Sequence, residues 1–217
     1  MMIRSAEGIG STPRNGVARL RSKRFIDVVL ATTALVILSP LVLAIGIAII
    51  VDSGWPPLFA QERVGLRGRR FLMWKFRSMT RGADALRTPL LALNEAPFPV
   101  FKLRDDPRIT RVGKLLRRAG LDELPQLWNV LRGEMSLVGP RPPLPEEVER
   151  YDDRTWQRLA ARPGVTCTWQ IERRYRSDIT FAEWVEMDLT YLDDWTLAGD
   201  LRLMLRTLRA IARLTGE

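Results

Sequence analysis

The sequence predicts a mostly helical α+β protein with a membrane-embedded segment near the N-terminus and a small domain after it. Residues 28–51 carry no charge, and an uncharged run of that length is typical of a membrane helix. Residues 58–79 contain β-favouring stretches on either side of a glycine-bearing turn, which predicts a β-hairpin. Later segments show helical spacing with one apolar and one basic side, which predicts amphipathic helices at a membrane interface.

Composition limits the chemistry that the chain can perform. The 217 residues suit one compact domain with an anchor, and a net charge of +9 implies an anionic partner: nucleic acid, an acidic membrane surface or a phosphorylated substrate. Because histidine is absent and Cys167 is the single cysteine, Ser-His-Asp and Cys-His catalysis, His/Cys metal sites and an internal disulfide are excluded. Carboxylates, lysines, tyrosines or hydroxyls must do any acid, base or nucleophilic work.

The N-terminal part divides into a mobile basic tail, residues 1–22, and a membrane segment, residues 23–52. Ser39 and Pro40 fall at the centre of the segment, where the proline lacks an N–H and its ring clashes with a preceding carbonyl. Each half then rises about 16 Å as helix, against about 30 Å of hydrocarbon. A kinked spanning helix remains open, and a re-entrant helix-break-helix with both ends on one face is favoured. Lys23 and Arg24 are expected near lipid headgroups at its entrance.

The predicted hairpin lies around Gly65 and Gly68. Lys75 and Arg77 in its second strand fit either solvated edge charges or groups that face a phosphate. The side chains expected on its packed side are Val64, Phe71, Met73 and Phe76.

Two helices are predicted around an acidic pair, Asp122 and Glu123. Thr110 caps the first helix and Gly120 ends it. The acids then open the second helix, which tolerates Pro125 in its first turn and ends at Gly133. Acids at such a place commonly cap helices, so this fragment alone favours capping over catalysis.

The C-terminal region predicts two more helices. Thr180 and Glu183 form a capping box. The last helix separates an apolar side from an arginine stripe, which fits an interfacial helix or a core-packed helix with a solvated basic face. Its apolar side is predicted to comprise Leu201, Met204, Leu205, Leu208 and Ile211.

Residues 116–142 read LRRAGLDELPQLWNVLRGEMSLVGPRP, a segment that resembles the signature of the bacterial sugar transferases, the monotopic polyprenyl-phosphate phosphoglycosyl transferases. The resemblance extends over nearly everything after residue 22. It includes KRFID at 23–27, the Ser39-Pro40 break, QERVG at 61–65, KFRSM at 75–79 and RPGVT at 162–166. An ordered series of motifs is far more specific than a lone Asp-Glu pair.

The resemblance implies transfer of a sugar 1-phosphate from a UDP-sugar to undecaprenyl phosphate, with release of UMP. It makes Asp122 the nucleophile, which forms an aspartyl-phosphosugar intermediate. Glu123 is implied as the partner of Asp122, and both carboxylates are implied as ligands of Mg²⁺, the expected cofactor.

The resemblance also implies the groups that bind substrate. Arg117 would steady phosphate oxygens, and Arg141 would contact the uridine nucleotide from a turn that two prolines restrain. The further candidates for phosphate or nucleotide binding are Lys75, Arg77, Pro140 and Pro142. A departure from the family pattern at Cys167, where a glycine is usual, makes the identity of the sugar harder to infer than the reaction.

By the same resemblance, the segment at 23–52 is a re-entrant helix with both ends cytoplasmic. It holds a catalytic domain, residues 53–217, on the cytoplasmic face of the bacterial inner membrane. A membrane-tethered nucleic-acid binder is a rival hypothesis, but the sequence contains no recognised nucleic-acid motif. A non-catalytic membrane scaffold is another, but it gives no reason for the acidic pair. The sugar, the glycan pathway and the existence of a homodimer stay open.

Overall fold

The computed structural model describes residues 21–83, 85–90, 103, 105–173 and 179–212. Most of the predicted mobile tail therefore lies outside the described residues. The fold is a long apolar helix followed by a mostly helical domain that contains a β-hairpin and a short parallel strand pair, which confirms the mostly helical α+β prediction.

The described elements, in chain order, are α1 (Arg21–Ser53), β1 (Leu58–Val64), β2 (Arg70–Phe76), α2 (Arg87–Leu90), α3 (Arg111–Ala119), α4 (Gln126–Arg132), β3 (Ser136–Val138), α5 (Pro145–Val148), α6 (Asp153–Trp156), β4 (Gly164–Thr166), α7 (Thr168–Arg173), α8 (Phe181–Asp193) and α9 (Leu197–Ala212). Short 3-10 turns occur at Leu66–Gly68, Leu121–Glu123 and Gln157–Ala160.

Helix α1 continues through Pro40 without an interruption in its secondary structure, so the structure does not show the predicted break at Ser39-Pro40, and the re-entrant topology stays a prediction. Pro40 cannot donate to the carbonyl of Val36, four residues earlier. The hydroxyl of Ser39 donates to that same carbonyl at 2.8 Å. The neighbouring side chain thus supplies the hydrogen bond that the proline removes, which lets the helix continue.

Both halves of α1 pack against the same domain, although their midpoint does not. Ala31, in the first half, lies in a buried cluster with Val130 of α4. Ile49, in the second half, lies in a cluster with Leu116 of α3. Around the midpoint, Ile37 is 70% exposed. By its length and composition, α1 could cross a membrane.

The cations at the entrance of α1 bind protein groups instead of the lipid headgroups that the sequence analysis expected. Lys23 is buried and forms an ion pair with Asp200 of α9. Arg24 donates to the carbonyls of Val130 and Leu131 at the end of α4. Cationic donors suit these carbonyls, because the last carbonyls of a helix lack partners within it.

The predicted β-hairpin is confirmed, with Val64 paired to Arg70 and Leu58 paired to Phe76. The prediction of a single packed side was wrong. Side chains alternate along a strand, so Met73 lies on one face while Phe76 lies on the other. Both faces are covered because Met73 packs in the cluster with Ala31, whereas Val64 packs against α5 and the 3-10 turn near Leu159.

The last helix, α9, turns its leucines outward. Leu201, Leu205 and Leu208 are 46%, 56% and 61% exposed, and their spacing places them on one side of the helix. Met204 and Ile211, predicted for the same side, are half-buried. The outward leucines argue against a helix whose apolar side is packed in the core, and they leave the interfacial hypothesis in place.

Candidate active site

The acidic pair lies at the corner between α3 and α4. Thr110 caps α3 as predicted, accepting from the amide of Gly113, and Gly120 ends it with a left-handed φ of 65°. Asp122 and Glu123 then occupy a 3-10 turn, and α4 begins only at Gln126 with Pro125 in its N-cap position. The predicted helix thus opens with a 3-10 turn that contains the acids, and Leu124 and Pro125 keep helical backbone angles up to the start of α4. No side chain caps α4, so capping of α4 does not explain the acids.

Glu123 meets a cation from the β-hairpin. The ammonium of Lys75, on β2, lies 3.0 Å from Oε1 of Glu123. Each side chain keeps about a quarter of its surface exposed, at 25% and 28%. The structure thus brings together two groups that sequence reasoning singled out separately.

Arg117 reaches the same corner from the last turn of α3. Its Nε donates to Oγ of Ser78 at 2.9 Å, just beyond β2. The close approach depends on Gly113, because a Cβ there would lie 2.0 Å from the Ser78 carbonyl oxygen. The absence of a side chain at this position therefore allows α3 to pack closely against Ser78.

Burial dominates the electrostatics of Asp122 and raises the pKa of its carboxyl group. The nearby cations Lys75 and Arg117 lower this pKa, while the negative charge of Glu123 raises it. Partial removal of a carboxylate from water makes it more basic and a better nucleophile, while the cations keep the ionised form accessible.

Arg77 does not face the acidic pair as its motif suggested. Its side chain is buried, and Nη2 donates to Oγ of Ser53 at 2.9 Å and to the carbonyl of Gly54. Arg77 therefore fastens the end of α1 to the end of β2. The prediction that it binds phosphate finds no support in this placement.

The Pro-Arg-Pro turn is held by its backbone. The carbonyls of Pro140, Pro142 and Pro143 accept, respectively, from the amide of Gly164 at 2.9 Å, from Nη1 of Arg63 at 3.0 Å and from the amide of Val64 at 3.0 Å. The three prolines are buried.

The backbone of the turn is held by these hydrogen bonds, whereas the side chain of Arg141 is half-buried and still reaches solvent. Its guanidinium lies 5.5 Å from the ring of Trp184, within cation–π range, and 3.9 Å from a carboxylate oxygen of Glu147. Trp184 stacks on Trp169, which is 6% exposed and therefore packs in the interior.

A model of the family described as bacterial sugar transferase matches residues 18–214. This chain belongs to the bacterial sugar transferase family.

Three relatives differ in the fraction of their length that this chain covers. It is 42% identical over 200 residues to the galactosyl transferase CpsE of Streptococcus agalactiae serotype III, and 40% identical over 211 residues to the undecaprenyl-phosphate galactose phosphotransferase of Salmonella typhimurium. It covers 44% of each of those proteins, so it spans less than half of their length. The exopolysaccharide production protein ExoY of Sinorhizobium fredii is 40% identical over 200 residues, which are 90% of this chain and 88% of that protein.

The structure adds residues to the site of this transferase that sequence reasoning missed. Ser78 and Arg63 stand in KFRSM and QERVG, so membership of a motif could have indicated them. Beneath the Pro-Arg-Pro turn, Arg158 and Asp188 form an ion pair at 2.6 Å, with each side chain 1% exposed. No sequence signal joins two residues that lie thirty positions apart.

The acidic pair fits Mg²⁺ in its donor chemistry. Among the described residues, no three His, Cys, Asp or Glu side chains gather as a ligand set. Mg²⁺ is commonly bound through one or two carboxylates, with substrate phosphates and water completing the octahedron. Asp122 and Glu123 supply two hard oxygen donors of that kind, provided that a diphosphate supplies the rest.

Proposed function

We propose that this chain is a phosphoglycosyl transferase that moves a sugar 1-phosphate from a UDP-sugar to undecaprenyl phosphate and releases UMP. The observation that carries the proposal is Asp122, a carboxylate of raised pKa beside Lys75 and Arg117 on a turn where it caps no helix. The names of relatives support it: a UDP-glucose:undecaprenyl-phosphate glucose-1-phosphate transferase of Escherichia coli is 36% identical over 203 residues.

The reaction proceeds in two displacements at one phosphorus atom. A carboxylate oxygen of Asp122 attacks the β-phosphorus of the UDP-sugar, and the bond from that phosphorus to the bridging oxygen breaks. UMP leaves with the electron pair, and the sugar phosphate remains on Asp122. A phosphate oxygen of undecaprenyl phosphate then attacks the same phosphorus and displaces the carboxylate. An ionised carboxylate needs no general base, which suits a chain without histidine.

Lys75 and Arg117 bind the phosphate oxygens that flank the reacting phosphorus, where positive charge stabilises the transition state. Asp122 and Glu123 would hold Mg²⁺, which when bound neutralises charge on the diphosphate. Arg141 contacts the nucleotide, and Pro140 and Pro142 limit the freedom of its turn.

The membrane topology of the proposal is monotopic. The first part of the chain, observed as α1, enters and leaves the bacterial inner membrane on its cytoplasmic face, and the domain of residues 53–217 carries the reaction there. A straight helix of 33 residues would be about 50 Å long. Both halves of α1 nevertheless pack on one domain, and this packing supports the proposed topology. The outward leucines of α9 would rest on the membrane interface.

Accessibility labelling tests this topology. In a Cys167→Ala background, we would introduce Arg21→Cys and Val51→Cys, both at exposed positions near the two ends of α1. An impermeant maleimide should reach both positions only in inverted membrane vesicles. Labelling of the two positions from opposite faces would contradict the re-entrant topology.

The reaction is tested by incubating the purified chain with a panel of UDP-sugars and Mg²⁺, with and without undecaprenyl phosphate. We expect UMP release and an intact mass increased by one sugar phosphate when the acceptor is absent, and loss of both signals in Asp122→Asn. Asp153→Asn, which alters an exposed carboxylate on α6, serves as the control and should keep both. A wild-type chain that neither releases UMP nor gains mass with any sugar would favour the scaffold hypothesis.

A further inference from the structure

We infer that Asp27, in the first turns of α1, is a positioning residue for Arg141 and therefore for the nucleotide of the donor. The inference rests on the proposed function. It assigns to a residue of the membrane helix a task in donor recognition, in addition to the anchoring expected of such a helix.

Asp27 is buried, at 4% exposure, and both of its carboxylate oxygens are bonded to one strand. Oδ2 accepts from the hydroxyl of Ser136 at 2.8 Å, and Oδ1 accepts from the amide of Leu137 at 3.1 Å. A charged acceptor forms stronger hydrogen bonds than a neutral one. The carboxylate thus fixes two consecutive residues of β3 to the entrance of α1.

Strand β3 continues directly into the Pro-Arg-Pro turn. Where it does so, at Gly139 and Pro140, its backbone packs against the backbone around Gly164. The amide of Gly139 donates to the Thr166 carbonyl at 3.1 Å, and the amide of Gly164 donates to the Pro140 carbonyl at 2.9 Å. A Cβ on Gly139 would lie 2.4 Å from the Arg162 carbonyl oxygen, and a Cβ on Gly164 would lie 2.1 Å from the Gly139 nitrogen. Because these backbones are in such close contact, a displacement of β3 should also displace the Pro-Arg-Pro turn.

A second contact supports β3 from the same end of α1. Lys23, one turn before Asp27, pairs with Asp200. The hydroxyl of Tyr191 lies 2.9 Å from Asp200 Oδ1 and 3.1 Å from the Val138 carbonyl oxygen. The entrance of α1 is therefore linked to all three residues of β3, and the contacts of Asp27 are the direct ones.

The chain contains a matched control for this assignment at the other end of the same helix. Asp52 also accepts a backbone hydrogen bond, from the amide of Val112 at 3.2 Å. Its partner is the first turn of α3, whereas the partners of Asp27 are residues of β3. If Asp27 only attaches α1 to the domain, the removal of either carboxylate should have the same kind of effect.

The test combines Asp27→Ala with Arg141→Ala in a double-mutant cycle, and Asp52→Ala with Arg141→Ala in a parallel cycle. The readouts are KM and kcat for UMP release from UDP-galactose or the best donor in the panel, and the affinity for UMP measured by calorimetry. We expect Asp27→Ala to raise KM and weaken UMP binding by about tenfold while kcat changes by less than about threefold. The effect should largely disappear in the Arg141→Ala background, and Asp52→Ala should leave KM unchanged.

Three results would overturn the inference in a chain whose wild type releases UMP. They are an unchanged KM and UMP affinity in Asp27→Ala, a fall in kcat alone, or effects of Asp27→Ala and Arg141→Ala that multiply. If Asp27→Ala does not fold, Ser136→Ala removes one of the two hydrogen bonds and should raise KM by about threefold with the same coupling to Arg141. An unchanged KM in that folded variant would equally overturn it. A wild type without UMP release would remove the proposed function itself, which is a different outcome.

Discussion

Two ion pairs of this molecule, Lys75–Glu123 at the acidic corner and Arg158–Asp188 beneath the Pro-Arg-Pro turn, differ most in their access to solvent. The first pair keeps about a quarter of each side chain exposed at 3.0 Å, whereas the second is 1% exposed on both sides at 2.6 Å. Arg158 also lies 4.6 Å from the ring of Trp184 and donates to the hydroxyl of Tyr151.

The difference in solvent exposure separates charged side chains that a substrate can reach from charged side chains that only stabilise the structure around the site. The buried pair is enclosed by its own partners, so a phosphate has no route to it. Loss of one member would leave the other charged in a dry interior, which is costly. The partly exposed pair, Lys75–Glu123, is screened by water, so its loss costs little stability and acts on chemistry instead. Four substitutions test this division.

The largest expected effect is on turnover in Asp122→Asn, which should lower UMP release by about a thousandfold or more. Burial raises the pKa of Asp122, so at neutral pH the folded chain carries a charge that it solvates less well than the unfolded chain does. Replacement by the neutral amide removes that cost. Thermal melting should therefore show unchanged or higher stability, and a clear loss of stability would contradict the account.

Asp188→Ala should have the largest effect on stability, with a loss of about 3–5 kcal/mol because Arg158 is left charged and buried. Denaturant unfolding of the purified chain measures this loss. In the double variant Asp188→Ala/Arg158→Ala, the loss should be smaller than the sum of the two single losses. Additive losses would show that the pair is not coupled.

Lys75→Met should move the acid limb of the pH–rate profile to higher pH. The positive charge of Lys75 lowers the pKa of Asp122, so its removal raises that pKa further. The donor half-reaction requires the ionised carboxylate, so its rate should begin to fall at a higher pH on acidification. Lys114→Met, which removes an exposed cation on α3, should leave the limb in place, and a shift of equal size in that control would refute the assignment.

The smallest effect is expected for Arg154→Ala. Arg154 pairs with Glu186 at 2.7 Å, but both side chains are more than half exposed. Water screens such a pair almost completely. The melting temperature and the donor KM should both match the wild type, and a measurable drop in either would show that exposure does not divide these pairs as proposed.

Sequence reasoning succeeded where the signal is local. The Thr110 cap, the left-handed Gly120 and the Thr180–Glu183 capping box each depend on a few neighbouring residues, and all are present. The hairpin around Gly65 and Gly68 was found for the same reason. Pro125 shows a limit of this reasoning, because the sequence does not distinguish a first helical turn of 3-10 type from one of α type.

Sequence reasoning failed where contacts cross the chain. In the sequence, Lys23 and Arg24 stand next to an apolar segment, and that pattern predicts contact with lipid headgroups. Their actual partners, Asp200 and the end of α4, lie more than a hundred residues away. Arg158 and Asp188, thirty positions apart, are likewise brought together only by the fold. Motifs indicated the groups proposed to react, since these fall in a short ordered segment, but not the groups that hold them.

The attachment of α1 to the domain at both of its ends limits how this protein can be re-engineered. Arg24 and Asp27 hold α4 and β3, while Asp52 and Ser53 hold α3 and the end of β2 through Val112 and Arg77. Exchange of α1 for an unrelated apolar helix would keep its length and hydropathy while removing these side chains. A water-soluble version therefore requires a redesigned surface on an intact helix, because deletion of the helix would remove the hydrogen bonds that hold β3.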